Sequence, residues 1–116
     1  MTLERIISIL RPLRLTLADE KRLQAEMADA FTAAGLPFER EVRLSSRDVI
    51  DFLVAGGIGI EVKVKGGKRD IFHQVERYAE HDAIAELLLV TNVPMGMPAE
   101  VCGKPVYVHH LFRAWL

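Results

Sequence analysis

The intervals at which apolar residues recur along the chain divide it into nine predicted elements. Between residues 20 and 34 apolar side chains recur every three or four positions, which is typical of a helix with one buried face. From residue 38 to residue 64 they alternate with polar residues or form short runs, which indicates strands. The pattern predicts helices over 2–10, 16–34, 70–81 and 110–116, and strands over 38–44, 49–54, 58–64, 86–91 and 106–108.

Proline, glycine and small polar residues mark the ends of these elements. Pro12 stops the first helix, and Thr16 is the predicted N-cap of the second, which Gly35 ends. Residues 45–48 form a turn, and the two glycines at 66–67 release the chain from a strand into the third helix. The predicted order is α, α, β, β, β, α, β, β, α, which is that of an α/β domain.

The predicted helix that follows Thr16 carries a carboxylate on its apolar face. At about 100° per residue, Glu20 falls on one stripe with Leu23, Met27, Phe31 and Ala34. A carboxylate on a buried stripe is unfavourable unless a cation or a metal ion balances it. The alternative is that Glu20 interacts with the positive end of the helix dipole.

Charges also interrupt the most apolar stretch of the chain, which reads as a hairpin of the strands 49–54 and 58–64. Alternation puts Ile50, Phe52 and Val54 on one face and Asp51 on the other, and it puts Glu61 and Lys63 together on one face of the second strand. A three-residue loop over 55–57 would set Asp51 opposite Glu61, whereas a two-residue loop would place them on opposite faces. The sequence leaves both registers open.

Carboxylates that come within a few ångströms of each other repel unless one keeps its proton or a divalent cation binds them. An all-oxygen ligand set selects Mg²⁺ or Mn²⁺. Lys63 beside such a site could orient or deprotonate a water and stabilise charge growing on a phosphate. The chemistry therefore points to a phosphodiester substrate. The alternative is an ordinary amphipathic strand on which Glu61 and Lys63 face water.

Basic residues cluster where the strand 58–64 ends. Lys63, Lys65, Lys68 and Arg69 lie within seven residues of one another, and the arginines Arg40, Arg43 and Arg47 could extend this patch. Such a cluster is suited to binding a nucleic-acid backbone without reading its sequence. It also has the composition of ordinary solvated surface, and Arg40 and Arg43 could simply pair with neighbouring glutamates across strands.

The composition adds few constraints. The chain has 116 residues, of which 50% are hydrophobic and 27% are charged, and its net charge is −1. This predicts one globular domain over 1–116, and it means that nucleic-acid binding would depend on local basic patches. No apolar stretch is long enough to span a bilayer, and residues 6–10 do not resemble a signal peptide, so we expect a soluble cytoplasmic protein with no membrane partner.

Other residues with chemical potential are assigned to structure. Cys102 is the only cysteine, which excludes an internal disulfide or thiolate zinc site, and we expect it to be buried. Ser45 and Ser46 have no partnered base and are explained by turn formation. The spacing of the histidines argues against a shared metal, so all four are assigned to structure or surface: His73, His81, His109 and His110.

These residues together resemble the PD-(D/E)XK nuclease superfamily. Asp51, the triplet Glu61-Val62-Lys63 and the helix residue Glu20 match its motif, and residues 16–91 match its α-β-β-β-α-β order. Similarity is greatest to small phage and archaeal enzymes of the Holliday-junction-resolvase kind. The resemblance implies a restriction-endonuclease-like core, in which helices flank a central mixed β-sheet.

The resemblance also implies individual roles. Asp51, Glu61 and the carbonyl of Val62 would bind Mg²⁺, for which Mn²⁺ would substitute, and Lys63 and Glu20 would be catalytic. The chain departs from the family pattern in one place, because Ile50 stands where the family name has proline.

Gln74 and Tyr78 resemble a Gln-x-x-x-Tyr motif of RecB-like nucleases. Gln74 is accordingly expected at the catalytic centre. Tyr78 is expected to bind nucleic acid, as are the basic residues Lys65, Lys68, Arg69 and Arg47. Without the family, Gln74 and Tyr78 share a helix face with Ile71. They fit equally well as the polar lining of a cleft or as helix packing with a snorkelling tyrosine.

The expected function is that of a Mg²⁺-dependent DNA endonuclease acting on branched or structured DNA in recombination or repair, in a bacterial, archaeal or phage-infected cell. A homodimer is expected, because junction cutting needs two equivalent sites, and the N-terminal helix extension within residues 1–15 is the candidate dimerisation element. The alternatives are an exonuclease or repair nuclease of the same superfamily, a non-catalytic DNA-binding module, or an unrelated α/β domain.

Overall fold

A six-stranded mixed β-sheet with helices on both faces forms the domain in the computed structural model, which describes residues 2–112. The strands lie in the order β1-β2-β3-β4-β6-β5. The first three are antiparallel neighbours, β4 runs parallel to both β3 and β6, and β5 is antiparallel to β6. The elements are α1 (Thr2–Leu10), α2 (Glu20–Ala33), β1 (Phe38–Arg43), β2 (Val49–Val54), β3 (Ile58–Lys63), α3 (Lys68–Ala79), β4 (Glu86–Thr91), β5 (Glu100–Val101) and β6 (Lys104–His110).

The predicted order of elements is confirmed up to β4, with one capping residue wrong. Asp19, not Thr16, caps α2, and its Oδ1 accepts the backbone N–H of Arg22 at 3.2 Å. Thr16 instead donates its N–H and its hydroxyl to the two carboxylate oxygens of Glu26, at 2.8 and 2.9 Å. This pairing holds the connection between α1 and α2 against the helix, so the helix begins later than predicted.

The C-terminal part of the sheet differs more from the prediction. The last strand is longer than expected, over 104–110, and it forms a hairpin with the unpredicted two-residue strand β5. Cys102 lies exposed in the turn between them with a φ of 53°, so the prediction that it is buried is wrong. Leu111 and Phe112 begin a helical turn, and the rest of the predicted turn over 110–116 lies outside the described residues.

Two apolar cores lie on the two sides of the sheet. The side chains of α1 and α2 pack on one face, and those of α3 pack on the other. In α1, Leu3, Ile6 and Leu10 are buried in the chain's own core, whereas Ile7 and Ile9 of the candidate dimerisation element are only partly buried. No helix among the described residues has the length and apolar character needed to cross a membrane.

Both β1 and β2 change face halfway along their length. Arg40 and its partner Phe52 lie on the α2 side, with the guanidinium over the aromatic ring, whereas the next pair, Val42 and Ile50, packs on the α3 side. Between these pairs Glu41 has a left-handed backbone, with a φ of 51°. The expectation that Ile50 shares a face with Phe52 is therefore wrong, because strict alternation requires extended backbone throughout.

Gly59 permits the sheet to pack closely against the chain before β4. A Cβ atom at this position would lie 2.5 Å from the Cδ1 of Ile50 and 2.8 Å from that of Ile84, both of which are buried. We expect Gly59→Ala to lower the free energy of unfolding by about 1–3 kcal/mol through overpacking. Gly96→Ala is the matched control, since a Cβ there meets nothing within 4 Å. Urea denaturation checks the difference, and equal stability of the two variants would contradict it.

Candidate functional site

The β2–β3 hairpin has the register that brings its two acidic residues together. Its loop has three residues, 55–57, and both glycines in it have positive φ, of 94° and 84°. Backbone pairing begins at the loop and continues to Phe52 opposite Ile60, which sets Asp51 level with Glu61. The odd loop length that the cluster requires is therefore confirmed.

Side-chain contacts replace backbone pairing where β2 separates from β3. The Oδ2 of Asp51 accepts the backbone N–H of Val62 at 2.8 Å, and the N–H of Asp51 donates to the Oε1 of Glu61 at 3.3 Å. The N–H and C=O of one strand residue point to the same side of the strand. The carbonyl of Val62 therefore faces the same opening between the strands as the carboxylate of Asp51.

The third carboxylate reaches this opening from the other layer of the fold. Glu20 is the first residue of α2, and its Oε1 accepts the N–H of Val64 at 3.2 Å, just after β3 ends. Leu23, Met27 and Phe31 of the predicted stripe are buried, which confirms the face that Glu20 occupies. Acids from three separate segments thus converge on the end of β3.

Lys63 brings a positively charged amine to this cluster of acids. Its Nζ lies 3.5 Å from the Oε2 of Glu61, and the two side chains are 23% and 5% exposed, respectively. Its carbonyl accepts hydrogen bonds from the hydroxyl of buried Thr91 at 2.7 Å and from the N–H of Asn92 at 3.1 Å. The backbone that carries the lysine is therefore held from the neighbouring parallel strand.

Gln74 and Tyr78 of α3 contact the same cluster from the α3 side of the sheet. The Nε2 of Gln74 donates to the Tyr78 hydroxyl at 2.7 Å, and that hydroxyl lies 3.0 Å from the carbonyl of Val49 and 3.2 Å from the Oε2 of Glu61. With a single proton, the hydroxyl donates to only one of the two oxygens at a time. Tyr78 is 1% exposed, so its side chain does not snorkel to solvent. The prediction that Tyr78 contacts DNA does not fit this burial.

Burial and mutual repulsion make the two hairpin acids hard to ionise together. Burial, followed by the nearby charge of Asp51, raises the pKa of Glu61 to about 8, against the lowering effect of Lys63. Burial also raises the pKa of Asp51, and the hydrogen bond from Val62 opposes that rise. Such a pair is stabilised either by a retained proton or by a bound cation.

The side chains present fit a hard divalent cation. Glu20, Asp51 and Glu61 offer only oxygen atoms, as does the Val62 carbonyl, and this donor set suits Mg²⁺ or Mn²⁺. The carboxylates accept hydrogen bonds from the chain's own N–H groups, and no group of three or more His, Cys, Asp or Glu residues within 2–112 is arranged as a complete metal-binding cluster.

Some of the predicted basic residues are exposed near the end of β3, and others make local contacts within the fold. Lys65 is exposed just after β3, Lys68 and Arg69 are exposed in the first turn of α3, and Arg47 is exposed in the β1–β2 loop. Two other arginines have local roles, because Arg40 packs on Phe52 and Arg43 donates to the carbonyls of Ser45 and Ser46. The Oγ of Ser45 accepts the N–H groups of Arg47 and Asp48, as expected of a turn residue.

Sequence reasoning missed a second polar cluster, next to the start of β2. Asp48 is 6% exposed, and its two carboxylate oxygens lie 3.2 Å from the Nε of Arg77 and 3.0 Å from the Nε2 of His81. Burial alone would raise the pKa of Asp48, but the hydrogen bonds from His81 and Arg77 outweigh it, so the pKa is lowered. Nothing local marks Asp48, because its partners lie about 30 residues away in the sequence.

The histidines share no site among the described residues. His109 and His110 are neighbours on β6 and therefore point to opposite faces, as predicted. The Nε2 of His110 lies 2.6 Å from the carbonyl of Met95, whereas the Nε2 of His109 is buried without a hydrogen-bond partner. Burial, with Arg11 and His110 nearby, lowers the pKa of His109, which favours the neutral ring.

Comparisons with known proteins found no relatives. No protein-family model matches the sequence. No curated protein matches it, and no solved structure does either.

Proposed function

We propose that the chain is a metal-dependent DNA nuclease of the PD-(D/E)XK type, with a restriction-endonuclease-like core, that hydrolyses phosphodiester bonds. One observation carries the proposal: three carboxylates and one amine, from α2, β2 and β3, meet at the end of β3. Repelling carboxylates around an opening, with a lysine beside them, are the groups that phosphodiester hydrolysis with a divalent cation requires. The proline of the family name is replaced by Ile50, which is buried in the core and needs no role in the chemistry.

The cation would be held by Asp51, Glu61 and the carbonyl of Val62, with Glu20 completing the site from α2. A bound Mg²⁺ or Mn²⁺ would supply positive charge that polarises the phosphate and makes water more acidic. Asp51 and Glu61 would then exchange hydrogen bonds to their own chain for contacts to the cation.

Hydrolysis adds one water across one P–O ester bond. The oxygen of the water bonds to phosphorus, the ester bond to the leaving oxygen breaks, and a proton of the water ends on that oxygen, which gives a phosphomonoester and an alcohol. Lys63 would donate a hydrogen bond to the phosphate or the attacking water and stabilise the developing negative charge. Tyr78, oriented by Gln74, would hold the Glu61 carboxylate in place.

DNA binding would depend on the exposed cations that follow β3. Lys65, Lys68 and Arg69 lie next to Lys63 in the chain, and Arg47 lies in the loop before β2. Contacts of this kind go to phosphates and carry no sequence information, so recognition would depend on the shape of the DNA, as in branched molecules. A two-fold dimer would place two such sites on a junction, through a surface other than the buried face of α1.

Cleavage assays with purified protein test the proposal. Plasmid, linear, single-stranded and four-way-junction DNA are incubated with Mg²⁺, with Mn²⁺ and with EDTA, beside Asp51→Asn as the inactive control. We expect metal-dependent cutting of junction DNA that the control lacks. Cutting of linear but not circular DNA would favour the exonuclease, and gel shifts without cutting would favour the binding module. The proposal would be overturned if the protein neither cut nor bound any of these DNA substrates.

A further inference from the structure

The segment that carries Asp51 receives little support from β3. Backbone pairing between β2 and β3 stops at Phe52, so the hydrogen bonds described between residues 48–51 and β3 are those made by the side chains of Asp51 and Glu61. On the other side they pair with β1, but β1 is an edge strand that bends together with β2 at Glu41. A further contact that holds residues 48–51 would therefore help to set the position of Asp51 relative to Glu61.

The C-terminal end of α3 and the turn that follows it provide that contact. Arg77 and His81 each contact one carboxylate oxygen of Asp48, and the Tyr78 hydroxyl lies 3.0 Å from the carbonyl of the next residue, Val49. The contacts with Asp48 are buried or partly buried, where hydrogen bonds to charged groups are strong. The backbone of His81 is held in turn, because its carbonyl accepts a hydrogen bond from the Nζ of Lys104 at 2.6 Å.

The Asp48 cluster lies on a short path from α3 to Asp51, next to the contact between Tyr78 and Val49. Asp48 is three residues before Asp51 in an extended segment, and the Tyr78 side chain that contacts Val49 also contacts Glu61. Loss of the Asp48 contacts would free the β1–β2 end to move away from β3, and this would separate the two acids. A ligand that is displaced by about 1 Å weakens its site even when the fold is intact.

We propose that Asp48, held by Arg77 and His81, is a positioning residue that keeps Asp51 against Glu61 and thereby sets the affinity of the site for a divalent cation. The inference rests on the proposed function. Residues that orient the ligands of a metal typically change metal affinity about 10- to 100-fold when they are replaced. Asp48 does not touch the substrate or the cation, so its effect acts through the position of Asp51.

Mn²⁺ binding to the full chain, measured by calorimetry without DNA, tests this role. Asp48→Asn keeps the shape of the side chain but removes its charge and one acceptor, and we expect the Kd for Mn²⁺ to rise about 10- to 100-fold. Asp29→Asn, at an exposed position on α2, is the matched control and should bind Mn²⁺ like the wild type. In cleavage assays the loss in Asp48→Asn should be largely recovered at high Mg²⁺ concentration.

A merely structural role predicts a different result. It would lower the melting temperature of Asp48→Asn and leave its Mn²⁺ affinity unchanged well below that temperature, and this outcome would overturn the inference alone. If Asp48→Asn does not fold, Arg77→Gln, which leaves the His81 contact, should show a smaller loss of Mn²⁺ affinity, and unchanged affinity in that variant would equally overturn it. A wild-type chain that binds no Mn²⁺ would overturn both this inference and the proposed function.

Discussion

Replacement of Lys63 by methionine should slow DNA cleavage by about 100- to 1,000-fold at saturating Mg²⁺, with little change in metal or DNA affinity. Methionine keeps most of the length of the side chain and removes the amine, which lies 3.5 Å from the Oε2 of Glu61. A donor that acts on charge developing in the transition state affects the rate much more than binding. Single-turnover cleavage of junction DNA measures the rate, and calorimetry with Mn²⁺ measures binding.

Lys65→Met is the matched control for this prediction. Lys65 lies two residues further along the chain and is exposed. Its replacement should leave the single-turnover rate within a few-fold of the wild type and reduce the dependence of DNA affinity on salt by about one phosphate contact. If Lys63→Met cut DNA as fast as the wild type, the amine would have no part in the chemistry.

The second large effect concerns the stability of the metal-free protein at alkaline pH. Folding raises the pKa of Glu61 from 4.5 to about 8, so between these values the folded state keeps a proton that the unfolded state has released. Stability therefore falls as pH rises through this window, by a few kcal/mol in total. The stabilising contribution is complete below about pH 4.5 and is lost above about pH 8.

Glu61→Gln should remove this loss, because glutamine has no proton to release. Urea denaturation in EDTA at about pH 5 and about pH 9 should show the wild type losing a few kcal/mol while the variant changes much less. Asp48 has the opposite sign, since its lowered pKa contributes stability above its ordinary value of 3.8, but that titration lies below this window. The variant should also fail to bind Mn²⁺, as expected if Glu61 is a ligand.

Two controls make the stability prediction specific. Glu39→Gln, at an exposed position on β1, should keep the wild-type pH dependence. Saturating Mg²⁺ should restore the alkaline stability of the wild type, because a cation can balance the two acids as a proton does. A variant Glu61→Gln that lost stability with pH just as the wild type does would show that Glu61 is not held in its neutral form.

Most of the candidate site could be anticipated from local patterns. The helical period placed Glu20 on the buried face of α2. The two loop lengths that the sequence allowed left two registers for Asp51 and Glu61, and the structure has the one that brings them together. The spacing of Gln74 and Tyr78 likewise put both on one face of α3, where they contact each other. These features depend on neighbours within one element or one hairpin, where geometry follows from sequence spacing.

Local rules failed where the backbone leaves its regular form. Strict alternation put Ile50 on the face of Phe52, but the left-handed Glu41 turns β1 and β2 over together. Thr16 is a good N-cap by residue type, yet its contacts with the Glu26 carboxylate move the start of α2 to Asp19 as cap. In both cases a tertiary contact or a strained residue outweighed a propensity of about 1 kcal/mol.

The sequence by itself determined which residues are chemically able to form the cluster and which faces of α2 and β3 carry them, because these depend on residue type and on fixed helical and strand periods. Only the tertiary structure decided that Thr91 holds the backbone of Lys63 and that Tyr78 is buried against Glu61. It also decided that Asp48 contacts Arg77 and His81. Those contacts join residues 17 to 33 positions apart, and they exist because helices and parallel strands pack distant segments together. No periodicity within one element contains that information.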